Sequence, residues 1–188
     1  GGSLHGAHPA HLALTRALSI PVLLWESGEL TQQAPGAVTA RTLLIAISQS
    51  GESGEVRRLT EAAARPACVI SITNTADNAL ARWADIAVAT QAGPERTAST
   101  KTYTAGLAAT HLVVAHLTGT AAGSAGEVRA LSHTVADLLA RLPTQADAAA
   151  RHLGHTTPLT VIGRGDSYAS AAMAALLTFI PYIGHIFG

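Results

Sequence analysis

One run of residues constrains this chain more than any other: Leu43-Leu44-Ile45-Ala46-Ile47 passes directly into Ser48-Gln49-Ser50-Gly51-Glu52-Ser53-Gly54. A run that is apolar at every position has to be covered on both faces, which reads as a buried parallel strand. Beyond the glycines, apolar Val56, Leu59, Ala62 and Ala63 fall at helical spacing, with charge at Glu55, Arg57, Arg58 and Glu61. The unit is therefore a strand, a tight turn and a helix. Its turn would set backbone N–H groups and the hydroxyls of Ser48, Ser50 and Ser53 at a helix N-terminus. Unpaired donors and partial positive charge there suit a phosphate. The same residues also suit an ordinary N-cap.

The neighbouring stretches repeat this grammar. Ile20–Trp25, Cys68–Ile72 and Ile86–Ala89 read as further short strands. Helices are expected through residues 1–19, Glu26–Gln33, Asp77–Trp83 and Thr102–Leu117, the last apolar almost all round and so expected to be buried. Strands alternating with helices at short spacing predict an α/β fold, three-layer α/β/α with a doubly wound parallel sheet, whose strand order should reverse beside Ser48. Such sheets bind ligands where connections diverge at the carboxyl ends of the strands. The Ser48–Ser53 turn lies at such an end. So does the loop Thr90–Lys101, which is long for a connection and so points to function.

Further on, a small-residue linker leads to a helix at Glu127–Leu142 with Val128, Leu131, Val135, Leu138, Leu139 and Leu142 on one face. Pro143 should interrupt it before helical character resumes to about Leu153. Pro158–Ile162 then repeats the strand pattern, running into Gly163-Arg164-Gly165-Asp166-Ser167 and a helix from Tyr168. The expected organisation is a phosphate-binding domain over 1–120, a helical connector over 121–157, and the opening of a second, similar domain over 158–188.

Composition narrows the partners. With 12 basic and 12 acidic residues the formal net charge is zero and no basic run stands out, which argues against nucleic acid. Cys68 is the only cysteine, which excludes an internal disulfide and fits a reducing, cytoplasmic setting. It lies in an apolar run and is expected to be packed and inert. No cofactor motif is found. His5, His8 and His11 stand three apart, but no carboxylate or cysteine nearby completes a metal site, so a solvated or partly packed face is expected. Ala169–Phe187 is almost free of charge and about long enough to span a bilayer; Pro181 and Gly184 interrupt it, and a buried interface helix is the expectation over membrane insertion. The chain opens on Gly1-Gly2-Ser3 without methionine, as a fragment or a linker remnant would.

Three separated motifs, Ser48-Gln49-Ser50-Gly51-Glu52-Ser53, Ala92-Gly93-Pro94-Glu95 with Ala98-Ser99-Thr100-Lys101, and Gly163-Arg164-Gly165-Asp166, resemble the sugar isomerase (SIS) family. Their order and spacing are most similar to the isomerase parts of glucosamine-6-phosphate synthases and to related aminosugar-phosphate deaminases. Gly1-Gly2-Ser3-Leu4-His5 resembles the turn after the first strand of such a domain, which implies a sheet short by one member. The resemblance implies a phosphosugar site in which Ser3, Ser48, Gln49, Ser50 and Ser53 hold the phosphate while Ser99 and Lys101 lie near the sugar. It also implies a homodimer. In the family a glutamate on the helix after the Gly-Arg-Gly turn moves a proton between sugar carbons. Here Met173, Leu177 and Ile180 stand where Glu, Lys and Glu are expected. An apolar side chain cannot transfer a proton, so the resemblance leaves two readings: an isomerase or deaminase lineage, or a non-catalytic phosphosugar-binding module. His5 is the one replacement base in reach of the first turn, and a helix-start side chain facing solvent is its alternative.

Overall fold

The computed structural model describes residues 2–62, 64–95, 99–153 and 160–187. Its centre is a parallel sheet in which β1 (Leu43–Ile47), β2 (Cys68–Thr73) and β3 (Ile86–Ala89) lie in that order. The register pairs Leu43 with Cys68 and Ile47 with Ile72, then Ile70 with Ile86 and Thr73 with Ala89. β2, paired on both sides, buries every residue from Val69 to Thr73, which is why its apolar run is unbroken.

Helices cover both faces of this sheet. On one side α1 (Gly2–Ala17) packs along α5 (Lys101–Leu117), and these two meet β1 and β2. On the other lie α2 (Ser27–Gln33), α3 (Gly54–Ala62) and α4 (Ala79–Trp83). There Leu30, Val38 and Leu59 form a small apolar core with Leu44 packed against it. The three-layer α/β/α expectation is met. The expected reversal of strand order is not, because the three described strands run in sequence order.

Four local expectations need correction. Residues 20–25 carry no strand; Pro21 lacks an N–H, and Val22 O bonds a histidine ring (His11 Nε2, 3.1 Å) rather than a ladder partner. Residues 23–27 and β1 both line a cavity of about 390 Å³, and β1 is laddered to β2 alone. Second, Pro143 does not interrupt its helix: α6 runs from Ser124 to Leu153 through it. Leu131, Leu138, Leu139 and Leu142 stay exposed along α6, so the apolar face is there without a cover. Third, residues 160–162 are not a strand, with Ile162 88% exposed, while Pro158 and Leu159 lie outside the described residues. Fourth, α5 is not buried all round: among its residues Thr102, Thr110, Val114 and Ala115 are the buried ones. α7 (Ser167–Phe187) packs back on α1, and among the described residues no helix is long and apolar enough to cross a membrane. Cys68 is a free thiol, half-buried at the start of β2.

The turn after β1 depends on one glycine. Gly51 has φ +66°, and a Cβ there would overlap the carboxamide of Asn78. Asn78 is 1% exposed and caps α4, accepting from Ala81 N–H at 2.8 Å while its amide donates to Thr73 Oγ1 and Thr75 O. Gly51→Ala combines a left-handed alanine with displacement of this buried amide, a loss of about 2–4 kcal/mol. Thermal unfolding should therefore show a melting temperature lower by roughly 5–15 °C for a chain of this size. An unchanged melting temperature would mean that the Gly51–Asn78 contact does not position the turn.

Candidate functional site

The candidate site sits at the carboxyl ends of β1 and β2. Ser48 N–H continues the ladder to Ile72 O at 3.0 Å, and Asn74 N–H donates to Gln49 O at 3.0 Å, so the turn starts from a fixed edge. Within it, Gly51 N–H donates to Ser48 Oγ (3.1 Å), Glu52 N–H to Ser50 Oγ (3.2 Å) and Val56 N–H to Ser53 Oγ (3.3 Å). Each serine oxygen thus accepts a backbone hydrogen bond, and at Ser48 and Ser50 the hydroxyl proton stays available for donation. That differs from a turn in which all the backbone N–H groups point at a ligand: the hydroxyls of Ser48 and Ser50 have taken the N–H groups of Gly51 and Glu52.

Two acidic side chains flank the turn, and both have structural partners. Glu52 accepts from Ala79 N–H at 2.7 Å and pairs with Arg57 and Arg82, tying the turn to α4. Glu55 bonds its own backbone N–H and the Ser53 hydroxyl, which hold its carboxyl below the ordinary range.

The loop after β3 is pinned by Asn74, a residue that nothing in its local sequence singles out. Its side chain donates to Gly93 O (2.9 Å) and accepts from Ala92 N–H (2.9 Å) and Thr90 Oγ1 (3.2 Å). Glu95 then caps α5, accepting from Thr102 N–H at 2.9 Å and Thr100 N–H at 3.3 Å. A carboxylate is stabilised at a helix N-terminus.

The expected site residues fall into two adjoining cavities. Ser3, Ser48, Gln49 and Ser99 line one of about 80 Å³. Ser3, Ser48 and Gln49 also line the larger one, together with Ser50 and Ser53. The first residues of α1, α3 and α5 all reach these walls, so three helix N-termini converge here. Lys101 and His5 line neither cavity. Lys101 is exposed and donates to Pro94 O at 2.7 Å. His5 is pushed towards the neutral form, first by burial and further by His8. The other two histidines have separate partners: His8 packs on the Tyr168 ring at 5.2 Å, and His11 meets Val22 O. Among the described residues no group of three or more His, Cys, Asp or Glu side chains could hold a metal ion.

Glu95 gives this loop a pH dependence. Its carboxyl is held below its ordinary value of 4.5, mainly by the Thr102 backbone hydrogen bond. A carboxylate with a lowered folded value contributes stability that is complete above 4.5 and lost as pH falls through the folded value. Hydrogen exchange at the Thr100 and Thr102 amides, corrected for intrinsic rates, should show protection that declines below pH 4.5, and Glu95→Gln should lower it at neutral pH. Protection independent of both would contradict the capping role.

Among solved structures, the C-terminal domain of glucosamine-fructose-6-phosphate aminotransferase from Francisella tularensis superposes with a TM-score of 0.75 and 26% identity, over 94% of this chain and 52% of that one. Among curated proteins, glutamine–fructose-6-phosphate aminotransferase from Gloeobacter violaceus is 33% identical across 97% of this chain and 32% of its own length. The same-named protein from Pyrococcus horikoshii is 31% identical across 94% of this chain and 30% of its own length. The chain thus spans about a third of the length of the curated relatives it matches. The family model for the SIS domain matches residues 1–116, more than half of the sequence, and the chain belongs to the SIS domain family.

Proposed function

We propose that this chain binds phosphorylated sugars, such as fructose-6-phosphate or glucosamine-6-phosphate, over the turn between β1 and α3. The observation that carries the reading is the meeting of the Ser48–Ser53 hydroxyls with three helix N-termini around one pair of cavities. Hydroxyl donors and helix dipoles both favour an anion. Ser3, Ser48, Gln49, Ser50 and Ser53 are assigned to the phosphate. Ser99, which lines the smaller cavity together with Ser3, is assigned to the sugar, and Lys101 would reach it only by leaving Pro94. The relatives named above carry the words fructose-6-phosphate and aminotransferase in their own names, which supports the class of ligand.

Of the two readings, binding without sugar isomerisation is favoured by α7. Met173, at a position where the family resemblance implies a glutamate, is 5% exposed and lies against Gly2, its Cε 3.4 Å from where a Cβ there would sit. It is a packing residue. Glu52 and Glu95 are both occupied by backbone amides. In calorimetric titration with fructose-6-phosphate, Ser48→Ala combined with Ser50→Ala should weaken binding at least ~10-fold, since each hydrogen bond to a charged group is worth about 1.5–3 kcal/mol. The sugar phosphate should be recovered unconverted. Unchanged affinity would sink the site assignment, and robust conversion abolished by His5→Ala would restore the enzyme reading.

The proposed organisation is a sugar-phosphate domain over 1–120 with room for a further strand beside β1, a connector over 121–157, and the opening of a second SIS-like unit over 158–188. A homodimer belongs to the same proposal, supported by the uncovered leucines of α6, because contiguous apolar patches mark interfaces. Light scattering at micromolar concentration should give twice the chain mass, and a monomer would contradict it. A cytoplasmic setting fits the free thiol of Cys68.

A further inference from the structure

Ser3 reaches the site from the first turn of α1, and little in the local sequence holds that turn. Gly2 and Gly6 are weak helix formers, and the first turn carries no acidic residue to meet its free N–H groups. Contacts from other helices hold it instead. Gly2 and Gly6 lie one turn apart on one face of α1. A Cβ at Gly6 would stand 3.5 Å from the Tyr103 ring of α5, and one at Gly2 would stand 3.4 Å from Met173 Cε and 3.5 Å from its Sδ. The two glycines thus let α5 and α7 close on the start of α1.

α7 runs antiparallel to α1. Asp166 lies 3.8 Å from Arg16, the Tyr168 ring packs on His8 with 5.2 Å between centroids, and Met173 reaches Gly2. The ion pair is exposed and contributes little, so the apolar contacts dock the helix. Ala169 and Met173, four apart on one face of α7, are its buried residues among those described. Gly2 and Ser3 line both cavities, whereas no described residue of α7 lines either. Met173 therefore touches the neighbour of a phosphate-site serine without meeting the ligand.

We propose that Met173 is a positioning residue: by packing on Gly2 it fixes the first turn of α1 and so sets Ser3 on the phosphate turn. The proposal rests on the sugar-phosphate reading and deepens it, because it makes α7 a requirement of a site to which α7 gives no side chain. A long, unbranched thioether suits the gap between two helices. Shortening it leaves a space that Gly2 has no side chain to fill, and the first turn gains room to move. A hydroxyl displaced from its place loses part of the hydrogen bond it would make.

Met173 is the only methionine of the chain, so methyl-labelled methionine yields a single NMR signal. In the parent chain that signal should show a nuclear Overhauser contact to Gly2 and should shift with fructose-6-phosphate along the same saturation curve as the Ser3 amide. In calorimetric titration, Met173→Ala should weaken fructose-6-phosphate by about 3- to 10-fold, and Met173→Leu should retain most of the affinity. Ser3→Ala should weaken binding as well, and adding Met173→Ala to it should weaken binding by no more than about twofold further, because Met173 acts through Ser3. Losses that multiply in the double variant would make Met173 a residue of general stability and overturn the proposal. So would a methyl signal that the ligand leaves unmoved, a readout that needs no variant to fold. Full affinity in Met173→Ala would overturn it while the sugar-phosphate reading stood, since Ser48 and Ser50 test that reading separately. A parent chain that binds no sugar phosphate would remove both.

Discussion

The Asn78 carboxamide holds the end of β2, the start of α4 and the turn after β1 in one arrangement. It is buried, and its three hydrogen bonds reach Thr73, Thr75 and Ala81. Gly51 lies against it in a left-handed conformation that L side chains rarely adopt, and Gly51 O in turn accepts from Leu80 N–H at 3.1 Å. The serine hydroxyls stand where they do because this buried amide fixes the backbone that carries them. Buried polar groups of this kind are strong determinants only when every donor and acceptor is matched, as it is here.

The electrostatics of the site balance rather than accumulate. Three helix N-termini bring partial positive charge, while Glu52, Glu55 and Glu95 bring carboxylates to the same region. Glu52 and Glu95 are bound to backbone amides of α4 and α5, so each serves mainly to orient a helix. The Glu55 carboxyl is held below its ordinary range by its own backbone N–H and by Ser53.

The central strand-turn-helix could be read from the sequence because its two periodicities change at one place, between Ile47 and Gly54. The bounds of β3 came from the same kind of evidence. Residues 20–25 could not be read correctly: their apolar side chains suit a strand, but a strand exists only with a neighbour, and here β1 is laddered to β2 alone. Pro143 misled for the opposite reason, since propensity forbids what α6 tolerates along an exposed helix. Asn74 was invisible because its partners lie far along the chain, whereas Asn78, bonded to Thr73, Thr75 and Ala81, carried a local N-cap signal. A single polar letter in Thr73-Asn74-Thr75 says nothing about Gly93, nineteen residues on.

The central claim is that a sugar phosphate sits on the turn after β1, between the starts of α1, α3 and α5. Two-dimensional amide NMR during addition of fructose-6-phosphate tests it most directly. The account predicts saturable shifts at Ser3, at Gln49 to Ser53 and at Ser99 to Thr102, with α6 unmoved. Shifts confined to α6 or α7, or none at millimolar ligand, would contradict it.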